Sequence, residues 1–408
     1  MNIKRTIGIA VLACGLTAGL SGLGTRVEAY PGSSVGPTGV GTIHSSTDGR
    51  YVAFSSTSTT LVSGDTNNRT DAFVLDTELN TTERVNVSSS GSQSDENVQA
   101  IRITGNGRYI AFVSTDEGLV SPSTNGGQSI YVRDTKLDIT QLAISGFAYT
   151  YNMDLSSISE DGRFVYYTKW AATGDVSVHA HDMAANTDTR LDVSGSSTAN
   201  DDSYYPDSSC DGRFVVFESY ASNLVSGDTN GHGDIFLLDR MGNTLKNITL
   251  GADSVSEQPE ITCDGNYVIF GSAAGNLVSS DNNNERDLFR YSVSDESIEM
   301  ISLMPNGSQF GDAFSAGGAV STSSSGHDTT MDGRYVVFGS NKTGSPNSGR
   351  LYIRDVESGV TTAYTPTSPS YASSPSFSYD GNKLYYNYST YGSGTGTLHV
   401  STDFLSSL

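Results

Sequence analysis

Asp211-Gly-Arg-Phe-Val-Val-Phe217 decides the fold. A turn dipeptide, Asp-Gly, runs straight into a β-branched and aromatic stretch, the strongest short-range sign of a hairpin turn feeding a strand. Variants stand at Asp48–Phe54, Asn106–Phe112, Asp161–Tyr167, Asp264–Phe270, Asp332–Phe338 and Asp380–Tyr386. Successive turns lie 58, 55, 50, 53, 68 and 48 residues apart, which is a repeat architecture.

Spacing within the units supports this. From the turn to the end of an expected third strand is 28 residues in units one, two, four and five, as from Asp48 to Asp76 or Asp211 to Asp239. The loop between the second and third strands is shorter in the other units. Third strands share an apolar or aromatic run ending in Asp, as in Phe236-Leu-Leu-Asp239 and Tyr352-Ile-Arg-Asp355. Four hairpin-connected strands repeated at this period make one blade of a propeller. The second strands are apolar on both faces, with Val215, Val216 and Phe217 consecutive. Blades stacked face to face require that, whereas an open sheet with one wet face would alternate. The expectation is an all-β, seven-bladed β-propeller of four-stranded antiparallel blades over residues 30–408. After Ser401 little chain remains for a last fourth strand, so residues before Val40 are expected to supply one. Unit one's fourth strand is expected near Arg84–Val87, and Met304–Thr330, rich in Gly and Ser, as an exposed insertion.

The formal net charge of −22 repels nucleic acid and anionic membranes and favours cations or basic partners. Residues 1–29 read as a signal peptide: Lys4 and Arg5, an apolar run from Thr6 to about Leu20, and Val27-Glu28-Ala29 before a cut ahead of Tyr30. Val11-Leu12-Ala13-Cys14 offers a rival lipoprotein reading. No other segment is apolar enough to span a bilayer, so a secreted or periplasmic protein is expected, as a monomer. Cys210 and Cys263 each precede the Asp-Gly of neighbouring units. A ring brings such equivalent places together, so they form either a disulfide between blades four and five or two small buried thiols.

Asp-Gly-Arg-Tyr-Val-Ala-Phe, followed by Asn-Leu-Val-Ser-Gly-Asp-Thr-Asn and Asp-Ile-Phe-Leu-Leu-Asp, resembles the TolB-type, WD40-like propeller repeat of secreted bacterial proteins. The resemblance covers nearly all of the chain after residue 29. It implies a rigid ring whose loops or channel mouth engage a partner.

Three inter-strand loops share Asp-x-Asn-x-x-x-Asp: Asp65, Asn67 and Asp71; Asp228, Asn230 and Asp234; Asp281, Asn283 and Asp287. Alternating oxygen donors suit Ca²⁺, while Asp and Asn also simply make turns. His179 and His181 fall two apart on an expected third strand, beside Asp182, as half a metal site or an ordinary strand face. The aromatic pairs Tyr204-Tyr205 and Tyr385-Tyr386, and the run Tyr149–Tyr151, are candidates for stacking on sugars or for sheet packing. No nucleophile elbow, zinc-protease helix or phosphate loop is present. The reading is a non-catalytic scaffold that binds protein or carbohydrate at the propeller face or channel mouth. Its rivals are a polysaccharide-active enzyme sited at that mouth and a calcium-stabilised surface protein.

Overall fold

The structure, a computed structural model, describes residues 33–38, 40–124, 126–146, 153–283, 285–309, 327–340, 350–364, 370–378, 381–390 and 397–402. The expected signal peptide, Cys14 and Tyr149–Tyr151 lie outside these residues.

Seven four-stranded antiparallel sheets form the blades of a β-propeller. Blade four is the type: Ser203–Ser208 at the axis, then Phe214–Ser219, Asp234–Asp239 and, outermost, Thr244–Asn247. Blades one, two and three occupy residues 40–84, 98–144 and 153–190. Blades five and six occupy 256–300 and 327–364. Blade seven combines Ser370–Phe377, Lys383–Thr390 and Thr397–Thr402 with Ser33–Thr38 from the other end of the chain. Ser33–Thr38 pairs antiparallel with Thr397–Thr402, Ser33 opposite Val400, and so ties the ring shut. Two details differ from the sequence reading. Unit one's fourth strand is Thr81–Arg84, a little earlier than expected. The expected insertion Met304–Thr330 is shorter, because His327–Thr329 is the innermost strand of blade six; polar residues there gave no strand pattern.

Every part of the repeated turn has a physical task. Asp211 Oδ1 accepts the Arg213 amide at 3.0 Å and the Ser209 hydroxyl at 2.6 Å. Gly212 takes φ +66°, which glycine alone adopts without strain. Arg213 reaches back to Asp239 at 2.7 Å and covers the Phe214 ring at 4.5 Å from its centroid. That ring lies against the turn of the next blade: a Cβ on Gly265 would come within 2.8 Å of it. Tyr51 meets Gly107 and Tyr109 meets Gly162 in the same way. The Asp-Gly-Arg-aromatic signature is therefore both a hairpin turn and the joint to the neighbouring blade.

Inner and middle strands carry the core. Val215, Val216, Phe217 and Phe236 are fully buried, and the Phe217 and Phe236 rings stack at 5.5 Å. Each buried aromatic contributes about 2–3 kcal/mol of transfer free energy. The apolar clusters straddle blade boundaries, as where Val216, Ile235 and Leu237 pack with Val268 and Phe270. A single blade could not cover both of its faces, so closure is a condition of stability.

Candidate functional site: the central channel and its mouth

Innermost strands of six blades carry a register shift, a bulge that turns the following residue toward the axis. Four residues before each turn stand His44, Arg102, Ser157, Asp207, Glu260, Asp328 and Ser376. All seven line a central cavity of about 250 Å³. They form a ring in which one blade reaches for the next. Arg102 Nε donates to the Ser156 carbonyl, Ser157 Oγ lies 3.1 Å from Ser208 Oγ, and Asp207 accepts the Ile261 amide at 2.9 Å. Asp328 accepts the Phe377 amide at 2.7 Å, and Ser376 accepts the Ser45 amide at 3.3 Å. At the turn end of the channel Cys210 and Cys263 are joined in a disulfide, and the Cys210 amide donates to the Cys263 carbonyl at 2.9 Å.

Burial sets the charge of this channel. It raises Asp154 to about 7, against the pull of Arg102. It raises Asp207, and pushes Glu260 well up, helped by neighbouring Asp328. Asp328 is raised too, by burial. His327, 3.6 Å from Glu260, is lowered to about 3 by burial, and His44 is lowered by burial and then by Arg102. The channel is thus far less charged than its residue types suggest. Two of its acids, Asp207 and Asp328, are engaged in holding blades together.

At the channel mouth, where the innermost strands of blades four and five begin, lies a second pocket of about 440 Å³. Blade four supplies Asp201, Asp202, Tyr204, Tyr205, Glu218 and Tyr220, and blade five Glu257 and Gln258. Tyr204 is central: its ring sits 5.9 Å from Tyr205, 6.4 Å from Tyr220 in an edge-on contact, and 6.3 Å from Trp170 of blade three. The Tyr204 hydroxyl donates to Asp202 at 2.9 Å. The Tyr220 ring lies against the backbone at Gly233, where a Cβ would come within 2.9 Å. Tyr205 and Gln258 hold equivalent bulge positions in adjacent blades, and both take φ +51°, a region costly for any residue but glycine. The Gln258 amide donates to Glu218 Oε2 at 3.1 Å. Glu218 is 4 % exposed, and burial pushes it up to about 7; Glu257 is raised by burial and opposed by Arg286, 2.8 Å away.

The other sequence candidates lie elsewhere. In the three Asp-x-Asn loops, Asn67 donates to Asp71 at 3.2 Å, Asn230 to Asp234 at 3.1 Å and Asn283 to Asp287 at 2.9 Å. Each Asn carbonyl caps the amide two residues on, at Arg69, His232 and Glu285. In blade one the Arg84 guanidinium also lies 3.5 Å from Asp65 and 3.6 Å from Asp71. Asp228 and Asp281 sit in the same loops, with Asn247 and Gln309 beside them. Among the described residues no three His, Cys, Asp or Glu side chains gather at metal-binding spacing. His179 is buried against Tyr167 and paired with Asp188 at 2.8 Å, and His181 is buried as well. Asp182 pairs with Arg163 at 2.7 Å. Tyr385 and Tyr386 are core residues of blade seven. Among the described residues no helix is long and apolar enough to cross a membrane.

Sequence reading found Tyr204 and Tyr205 but missed Glu218, Tyr220, Glu257, Gln258 and the ring of seven. The ring's signal was available at the fixed offset of four before each turn. Nothing marked the pocket acids, because two adjacent repeats each supply part of one wall.

The chain matches no protein-family model, and no curated protein matches it in sequence. Solved structures do resemble it. Oligogalacturonate lyase from Vibrio parahaemolyticus superimposes with a TM-score of 0.60 at 11% identity, over 93% of this chain and 96% of that one. An oligogalacturonate lyase in complex with manganese gives 0.62 at 12% identity, over 94% and 97%. TolB from Acinetobacter baumannii gives 0.44 at 16% identity, over 90% and 80%. At such identities the two lyase likenesses speak for the fold alone, in agreement with the seven four-stranded blades.

Proposed function

We propose that this protein is an extracytoplasmic binding module that takes its ligand at the channel mouth, in the pocket between blades four and five, without transforming it. One observation carries the reading: three tyrosine rings and four carboxylates converge on a pocket of about 440 Å³, on the face that also bears the Asp-x-Asn loops. Pockets with an aromatic floor and a few placed polar groups are the usual form of a ligand site. The disulfide between blades four and five favours an oxidising compartment, in keeping with the leader-like residues 1–29. A partner protein or a saccharide is the occupant this surface suits, and the acidic surface argues against nucleic acid. Titrating the full chain with saccharides and small cations, by calorimetry, against the Tyr204→Ala and Tyr220→Ala variants tests the reading. Loss of binding in both variants supports it, and unchanged binding rejects it.

A second reading, an enzyme acting on polysaccharide, has its own observation. Glu218, raised to about 7 by burial, stands near Glu257, which burial raises as well, and carboxyl groups with such perturbed proton affinity in a cleft are candidates for acid–base chemistry. Turnover of a polysaccharide panel that disappears in Glu218→Gln and Glu257→Gln would establish it in place of simple binding.

A further inference from the structure

Resting on the reading that the mouth pocket is the ligand site, we infer that it recognises a cation: an ammonium group, primary or quaternary, held between tyrosine faces and carboxylates.

The wall is made for such a group. None of the described residues lining the pocket is itself a cation, and four are acids. Arg286 approaches Glu257 at 2.8 Å and also acts on Glu218, so one cation from outside the pocket lining stands against its four acids. Tyr204 and Tyr220 meet edge-on at 90°, and both line the space. An aromatic face carries negative quadrupole density and attracts ammonium groups, more strongly as water is excluded. Tyr220 is 40 % exposed, and its ring lies against Gly233. The polar groups favour donors on the ligand: the Gln258 side-chain oxygen is shielded from solvent with no hydrogen-bond partner among the described residues. A uronate or phosphate would bring a second negative charge into this enclosure and be repelled. A neutral sugar would leave the charge unanswered.

Binding of a cation here is linked to protons. Glu218 faces Tyr204 and Tyr205 of the innermost strand, Tyr220 beyond its own strand, and Glu257 and Arg286 of blade five. With Glu218 near 7, about one molecule in ten carries its charge at pH 6 and about nine in ten at pH 8. A ligand of fixed positive charge that needs the carboxylate therefore binds about tenfold more tightly at pH 8 than at pH 6.

The test uses choline and its uncharged isostere 3,3-dimethylbutan-1-ol, with glucose and galacturonate as further arms, titrated into the full chain at pH 6 and pH 8. Choline is expected to bind and the isostere not. The pH effect is expected to vanish in Glu218→Gln, and Tyr220→Ala, at an exposed position, to weaken choline at least fivefold. If the isostere equals choline, or glucose or galacturonate binds while choline does not, and Tyr220→Ala still weakens that binding, the cation inference is overturned and the pocket reading stands. If no probe responds to Tyr220→Ala, both fall.

Discussion

Glu218 should destabilise the protein at neutral pH, and the size of that effect can be worked out. Its pKa rises from 4.5 to about 7 because burial penalises the charge, so ionising it in the folded chain costs about 3 kcal/mol more than in the unfolded chain. The sign follows from proton linkage. Between those two values the folded state binds more protons than the unfolded state, so stability falls as pH rises from about 4.5 and levels off above about 7. Glu218→Gln keeps the shape and an acceptor for the Gln258 amide but cannot ionise. Urea unfolding of both proteins at pH 5 and pH 8 is the assay. The variant's advantage over the native chain is expected to grow by about 2.5 kcal/mol across that interval. An advantage equal at both pH values would refute the buried acid. Addition of choline at pH 8 should narrow the gap, because ligand binding to the native chain restores part of what the bare carboxylate costs.

Other outcomes follow from the same structure. Opening the Cys210–Cys263 bridge, which closes a 53-residue loop, should cost about 4 kcal/mol by chain entropy, measured by denaturant unfolding of the Cys210→Ala/Cys263→Ala double variant. Gly162→Ala combines a left-handed φ of +70° with a Cβ only 2.5 Å from the Tyr109 ring, and should cost about 3 kcal/mol in the same assay. Deleting residues 33–38 removes the strand that closes blade seven; protease should then cut first within Thr397–Thr402, and uniform resistance would speak against a strand closure. Because each Asp-x-Asn loop already bonds its own Asn to its own Asp, Ca²⁺ and chelator should leave the melting temperature unchanged; a rise of several degrees with Ca²⁺ would restore the calcium reading.

The fold was legible because one signature serves several tasks at once. The positions of Asp211-Gly-Arg-Phe serve turn, joint and ion pair, so the signature recurs with few changes, such as Asn106, Asn266 and Lys383. Closure by residues before Val40 was expected, and Ser33–Thr38 supplies it by pairing with Thr397–Thr402. The channel ring was hidden by its variety: one geometric position holds His44, Arg102, Ser157, Asp207, Glu260, Asp328 and Ser376, five residue types in seven blades. Inter-blade hydrogen bonding asks only for a polar side chain of the right reach, and many satisfy it. The mouth pocket was half legible. Tyr204 and Tyr205 are conspicuous, but Glu218 ends a buried strand and Glu257 begins another in the next repeat. Only the stacking of blades brings them together. His179 and His181 were open to two readings, half a metal site or an ordinary strand face; the fold buries both and gives His179 a carboxylate partner in Asp188.

A crystal soaked with tetramethylarsonium, an anomalously scattering copy of the quaternary ammonium group, tests the central claim most directly. The account requires an anomalous peak bordered by Tyr204, Tyr220 and Glu218 at pH 8, absent from the Tyr220→Ala crystal. A peak in the central channel beside Asp154 and Asp207 with none at the mouth would contradict it.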